Sequence, residues 1–422
     1  MNNKLQKHLG VKELLAYYIS SVVGAGILII PGVAAQIAGP ASLLAWVMLA
    51  VISAPVAITF AKMAILIPDS GGVPSFVERT FDPLLGKSMA ILLTLTMIIG
   101  NPVMGLASAF YLRDLIGYEP YLIPWVGYGF MLLSITFNLV EIRMASKIQS
   151  FALYFLVIGL IILVLLALPK TDLKNMTPFF PQGLSSVGSA MVICFFSFLG
   201  WENVSSVSEE VKNPEDTFRK TIPWAIFCVG GLYILIAWVY LAAVPAGLRL
   251  DNPTVLVPIL QTVFGNNIAM AGSLVAVILL ILATNSWVLG ASRQVYSLAR
   301  NNVLPATLSS LTGCSGIPRN ALLFLACGYG LVTLCISNAG WSEEWLIRLA
   351  NSNFMLIYFG AFTAGLTIFK SKKMKACAWL AIFATVSFAP FFGWMILVSS
   401  CLMAICYAWL FYLSKRRRKA FS

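Results

Sequence analysis

Apolar runs long enough to cross a bilayer, separated by short polar segments, recur along the whole chain. The pattern predicts spans over roughly 14–37, 40–66, 87–112, 120–140, 148–168, 186–207, 221–245, 265–290, 320–338, 345–369, 376–390 and 393–413, with ends good to about three residues. That makes an all-α membrane protein of about twelve transmembrane helices. Only Pro390 to Gly393 separates the last two, which also read as one long kinked helix. Two spans are interrupted. The first carries Gly24 and Gly26 in its middle and Pro31 further on; the sixth breaks at Ser197-Phe198-Leu199-Gly200-Trp201-Glu202. Glycine costs a helix about 1 kcal/mol relative to alanine, and an unpaired backbone group in hydrocarbon costs several more, so such flaws persist where protein or a polar cavity satisfies the backbone. Interrupted spans at corresponding places in two halves of a chain point to a transporter's substrate site. Close helix packing through small residues is the alternative reading of Gly24 and Gly26.

The first five spans are matched in spacing by the next five. Five is odd, so the second set starts on the opposite side of the membrane, an inverted five-plus-five repeat. The domains expected are a tail over 1–13, a first repeat over 14–168, a second over 186–369, two extra helices over 376–413 and a basic tail over 414–422. Pro68-Asp69-Ser70-Gly71-Gly72-Val73-Pro74 is too rich in turn formers to continue a helix. The loop from Ala246 to Gly265, with Pro253 and Pro258, has room for a short surface helix, and its sequence assigns it no function.

Composition agrees: 59% of the 422 residues are hydrophobic and 10% charged, more apolar surface than a soluble core hides. The net charge of +12 has a location. Of the 28 lysines and arginines, 22 fall on the side that holds both termini and five on the other, with Lys62 inside a span. This bias predicts cytoplasmic termini in a multi-pass protein of the cell membrane, with Lys62 snorkelling to the headgroups. Lys415-Arg416-Arg417-Arg418-Lys419 then anchors topology at the lipid surface and is no nucleic-acid site. The first apolar run continues as a full span, so no cleavable leader is expected. Seven of the eight cysteines sit in apolar runs, His8 lies in the polar tail, and no Cys/His cluster has metal spacing, so neither metal nor cofactor is expected. No G-x-x-x-x-G-K-[ST] motif provides for ATP, and one histidine with one intramembrane acid is too little for a membrane enzyme; a channel or sensor remains the other class.

A broken helix presents free N–H groups that attract a carboxylate, and Gly24, Ala25, Gly26 and Ile27 would offer them here. The second break frees carbonyls near Phe196, Ser197 and Phe198, which suit an ammonium group. Donors facing acceptors fit a zwitterion such as an α-amino acid. Glu202 is the one carboxylate placed inside an apolar span, either a protonatable gate residue or a structural acid bonded to backbone the break leaves open.

These residues also carry a resemblance. Gly24-Ala25-Gly26-Ile27 resembles the glycine-broken first helix of the amino acid-polyamine-organocation transporters. Phe195 to Glu202, followed by Glu209-Glu210-Val211-Lys212-Asn213-Pro214, resembles their sixth helix and its exit. Ser70-Gly71-Gly72 with Phe76-Val77, and the stretch from Ser292 to Pro305, are similar to the segments after helices two and eight. Ile317-Pro318-Arg319-Asn320-Ala321-Leu322 and Leu349 to Asn353 with Ile357-Tyr358 look most like the bacterial amino acid efflux branch, some members of which export methionine and branched-chain amino acids.

The resemblance implies the leucine-transporter-type fold, with substrate between helices one and six, flanked by three and eight. Gly24, Ala25 and Gly26 would hold the carboxylate, Phe196 would close over it from outside, and Trp287 would be an inner aromatic. Asn101, before Pro102, is a substrate contact or the amide of a kink. Thr284, Asn285 and Ser286 would hold Na⁺ with helix-one carbonyls, or else bond back to their own helix. Proton-coupled relatives carry a lysine in helix five, and this chain has none between Ile148 and Leu168, so coupling to H⁺ or Na⁺ stays open. Walls of Phe196, Trp201, Met104 and Trp287 would suit a neutral, largely apolar side chain. A cationic amino acid or polyamine permease of the same superfamily is the competing expectation.

Overall fold

A computed structural model describes residues 7, 9–67, 72–140, 146–250, 253–312 and 316–420. His8, Cys314 and the Pro68–Gly71 part of the expected turn lie outside the described residues. The first span is two helices, α1 (Val11–Val22) and α2 (Ile30–Ala38), joined by a 3₁₀ turn over Ala25–Leu28. α3 (Ser42–Leu66) returns, and the short α4 (Val73–Thr80) follows the turn. The third span is α5 (Pro83–Gly100) and α6 (Pro102–Ile116), and α7 (Ile123–Leu139) and α8 (Ser146–Ala167) complete the first five. Proline at the head of α5 and α6 fits, because the first helical turn needs no N–H there.

The sixth span is α9 (Ser185–Cys194), a 3₁₀ turn over Phe195–Phe198 and, beyond the break, a ten-residue 3₁₀ helix over Trp201–Glu210. Runs of 3₁₀ geometry this long are uncommon and mark hinges or strain. α10 (Pro214–Ala243) leads to α11 (Ala246–Leu250), α12 (Leu256–Phe264) and α13 (Asn266–Arg300). The loop expected to carry one short helix therefore carries two. α14 (Arg319–Ala339), α15 (Glu343–Ile368), α16 (Lys372–Val386) and α17 (Met395–Ala420) end the chain. α16 and α17 are two helices joined through a 3₁₀ turn over Ala389–Phe392, after which Gly393 takes φ +61°.

Among the described residues, ten segments are long and apolar enough to cross a membrane, one of them joining α2 and α3 over Ile30–Leu66. α1, cut short by the break, is absent from the ten, as is α15, whose apolar run is interrupted by Asn351, Ser352 and Asn353. With these two the twelve expected spans are accounted for. No strand forms among the described residues. α3 packs along α10 and α9, α13 along α6 and α12, and α15 along α5 and α16. Phe151, Phe155, Ile158, Ile162 and Leu165 of α8 stay exposed at helical spacing, an apolar stripe suited to lipid. Lys62 ends in an ion pair with Glu215 of α10 (2.5 Å). This modifies the headgroup expectation, and so exposed a pair adds at most about 1 kcal/mol.

Candidate functional site

In the first span, Val23 N–H still bonds back to Ile19, then the ladder fails. Gly24 N–H turns to Val22 C=O (3.0 Å), and the 3₁₀ turn opens with Ile27 N–H on Gly24 C=O (3.3 Å). The N–H groups of Ala25 and Gly26 stand ahead of that first bond, so the turn leaves them unused. The two glycines face different surroundings. A Cβ on Gly24 would meet nothing within 4 Å, whereas one on Gly26 would lie 3.4 Å from Ser197 Oγ and 3.9 Å from the Tyr233 hydroxyl. Gly24 thus borders open space, and Gly26 lets the sixth span approach. Ile27, expected to face the ligand with its backbone, has a fully buried side chain.

The sixth span breaks around Gly200, at φ +117°. Its missing Cβ also matters for packing, since one placed there would lie 2.4 Å from Ser21 C=O on α1. Leu199 N–H reaches Phe196 C=O (3.4 Å), and Gly200 N–H donates to Glu202 Oε2 (2.9 Å), so the carbonyls of Ser197 and Phe198 lie past the last bond of the turn. Tyr358 of α15 donates to the same Glu202 oxygen. Glu202 therefore joins the break to the tenth span. Below the break, α1 and the sixth span are held together: Tyr17 hydroxyl donates to Asn203 C=O (3.0 Å), and the Tyr18 and Trp201 rings lie 5.5 Å apart. Leu9 and Val211 form a short parallel bridge, with Leu9 N–H on Glu210 C=O and Lys212 N–H on Leu9 C=O.

A cavity of about 800 Å³ runs between α1, α8 and α13. It extends from Leu9, Lys12 and Glu13, at the end of α1 near the chain terminus, to Gly24 and Leu28 at the break. On α8 and α13 its walls are largely Ala and Leu side chains, with Trp287 among them, and on α1 they include Tyr17 and Ser20. Glu13, at the mouth, accepts the Gly10 N–H on Oε2 (3.0 Å).

Of the expected site residues, Gly24, Ser286 and Trp287 line this cavity; Asn101, Phe196, Ser197, Phe198 and Trp201 do not. Each of the latter has another place. Phe198 is buried between Trp46 and Tyr233 (centroids 6.1 and 5.5 Å), and Trp201 is buried against Tyr18, which corrects its expected place in the pocket wall. Asn101 donates its amide to Tyr329 of α14 (2.9 Å). Phe196, half-buried, leans toward Gly100 of α5. Ser197 Oγ is buried with no well-formed partner among the described residues.

The three candidates on α13 do not converge. Thr284 bonds back to Leu280 C=O (2.7 Å), Ser286 bonds back to Leu282 C=O (3.2 Å), and Asn285 accepts from Asn138 of α7 (2.8 Å). Thr284 and Ser286 are thus bonded to their own helix, and Asn285 across to α7. Cavity residues that the sequence reading passed over include Tyr17 and Ser20. With Gly24 they stand at i, i+3 and i+7, a shared helical face that was there to be read.

Comparisons agree with this architecture. A family model described as Amino acid permease matches residues 9–418. The chain is 27% identical over 414 residues to the uncharacterized amino acid permease YecA of Bacillus subtilis (strain 168), covering 96% of each chain. It is 25% identical to the L-methionine/branched-chain amino acid exporter YjeH of Escherichia coli (strain K12), over 87% of this chain and 88% of the other. It is 26% identical to the human cationic amino acid transporter 4, over 58% of this chain and 42% of that one. Two interrupted spans packed break to break, a cavity ending at the first of them and a family match over almost the whole length lead to one statement: the chain belongs to the amino acid permease family, in the amino acid-polyamine-organocation superfamily.

Proposed function

We propose that the protein is a secondary transporter of neutral, largely apolar amino acids that works by alternating access, here in a state open toward the cytoplasm. The cavity carries this reading. It joins the side of the termini to the N–H end of the turn at the first break, and its walls are mostly apolar. A cationic side chain deep in it would meet no carboxylate. Glu13, at the mouth, already accepts from backbone, and Glu202 is engaged by Gly200 and Tyr358. Gly24, Ala25 and Gly26 receive the substrate carboxylate, Ser197 and Phe198 carbonyls the ammonium group, and Leu282, Ala283 and Trp287 the side chain. The efflux-branch resemblance favours export of methionine and branched-chain amino acids. In proteoliposomes, methionine, leucine, isoleucine and valine are expected to displace labelled substrate, and lysine, arginine and glutamate are not. Strong displacement by arginine or a diamine would move the protein to the cationic and polyamine reading, and flux without trans-stimulation would make it a channel. Varying pH and Na⁺ in the same assay identifies the coupling ion.

Glu202 offers a second test in the same assay. Glu202→Gln keeps size but exchanges charge-assisted hydrogen bonds, worth about 1.5–3 kcal/mol, for neutral ones worth about 1. Turnover is expected to change by about tenfold and its pH profile to flatten, with the protein still folded. An unaltered rate and profile would leave Glu202 a purely structural acid.

A further inference from the structure

The loop with no function in its sequence meets the first break through one side chain. Tyr111 of α6 is fully buried, and its hydroxyl makes three hydrogen bonds to two other segments. It donates to Leu28 C=O (2.7 Å), and it accepts from the backbone N–H groups of Val255 and Leu256 (3.1 Å each), at the head of α12. Val255 N–H also reaches Leu28 C=O (3.1 Å). Leu28 closes the 3₁₀ turn of the break and lines the cavity, so its carbonyl has lost the helical partner that an unbroken span would supply. Nearby, Gly32 of α2 lies so close to the loop that a Cβ there would be 1.9 Å from Pro253 C=O. Thr254 hydroxyl donates to Asp114 of α6 (2.8 Å).

We propose that Tyr111 is a positioning residue that latches the segment Pro253–Leu256 over the second half of the first span, shutting the path on the side away from the termini while the cavity is open on the other. This rests on the alternating-access reading above. The break and the lid share one acceptor, Leu28 C=O. A rearrangement of the break therefore changes the hydrogen bonds that hold the lid, and lid opening changes the backbone where substrate binds. Phenylalanine at 111 keeps the ring that fills the core and removes only the hydroxyl, leaving Leu256 N–H without this acceptor and the Val255–Leu28 bond as the remaining tie between lid and break. The latched state then loses population to the state open on the far side.

The experiment follows Tyr111→Phe in the full-length protein. Backbone hydrogen exchange of the 253–256 segment is expected to accelerate about five- to tenfold, with α3 and α13 unchanged. Apparent KM for amino acid on the far side is expected to fall and that on the cytoplasmic side to rise, by about the same factor, with kcat changing less. Gly32→Ala pushes the lid off sterically and is expected to raise exchange in the same segment. Unchanged exchange in both variants overturns the latch. So does faster exchange spread evenly over the protein, or equal KM changes on both sides. The exchange measurement needs no transport, so a chain that moves no amino acid yet shows the localised acceleration fails the functional reading and keeps the latch.

Discussion

Gly24→Leu is expected to abolish amino acid binding while the protein stays folded in the membrane. Nothing lies within 4 Å of where its Cβ would be, and Gly24 lines the cavity, so the new side chain has open space to enter. There it takes the space in which a carboxylate would reach the N–H groups of Ala25 and Gly26. Affinity should fall at least about a hundredfold, or roughly 2.7 kcal/mol, measured by substrate-dependent thermal shift or labelled-substrate binding. Gly26→Ala is the contrast. Its methyl would stand 3.4 Å from Ser197 Oγ, an ordinary contact, and binding should stay within about fivefold of the parent. Gly24→Leu binding as tightly as the parent would place the site away from this break.

Gly200→Ala is expected to act on folding. At φ +117° an L side chain is strained by about 1–2 kcal/mol. In addition, its methyl would lie 2.4 Å from Ser21 C=O, forcing α1 and the sixth span apart exactly where they are clasped. A loss of about 3–5 kcal/mol, the range of a severe core defect, should appear as a drop in thermal unfolding temperature and in yield. Gly290→Ala, inside α13 with nothing within 4 Å, should be neutral or stabilising by up to about 1 kcal/mol. Equal behaviour of the two variants would show that the break tolerates a side chain at Gly200.

Much of the site was legible because its signals are local. An interrupted apolar run announces a break wherever the chain goes afterwards, and the breaks at Gly24 and Gly200 stand where the sequence places them. Gly24 and Trp287 were legible too, and both line the cavity. Trp201 was misjudged as a pocket wall for a physical reason, and the Phe198 ring, whose carbonyl alone was expected at the site, shows the same effect. An aromatic residue beside a break serves equally as pocket wall or as packing, and the neighbour that decides is distant in sequence: Tyr233 and Trp46 for Phe198, Tyr18 for Trp201. The same holds for Asn285, whose amide oxygen accepts from Asn138, 147 residues away.

The sequence by itself determined the class of protein, its spans, the charge asymmetry between its two sides and the position of both breaks. Hydropathy, charge and glycine act through solvent and backbone, and need no knowledge of which helix lies next to which. The tertiary structure alone decided which glycine borders the cavity and which one admits the sixth span. It also paired Glu202 with Tyr358, 156 residues away, and brought Tyr111 to Val255 across 144. Hydrogen bonds and ring contacts are settled over a few ångströms between side chains that the chain separates by a hundred residues or more. Their partners exist only once the helices have packed.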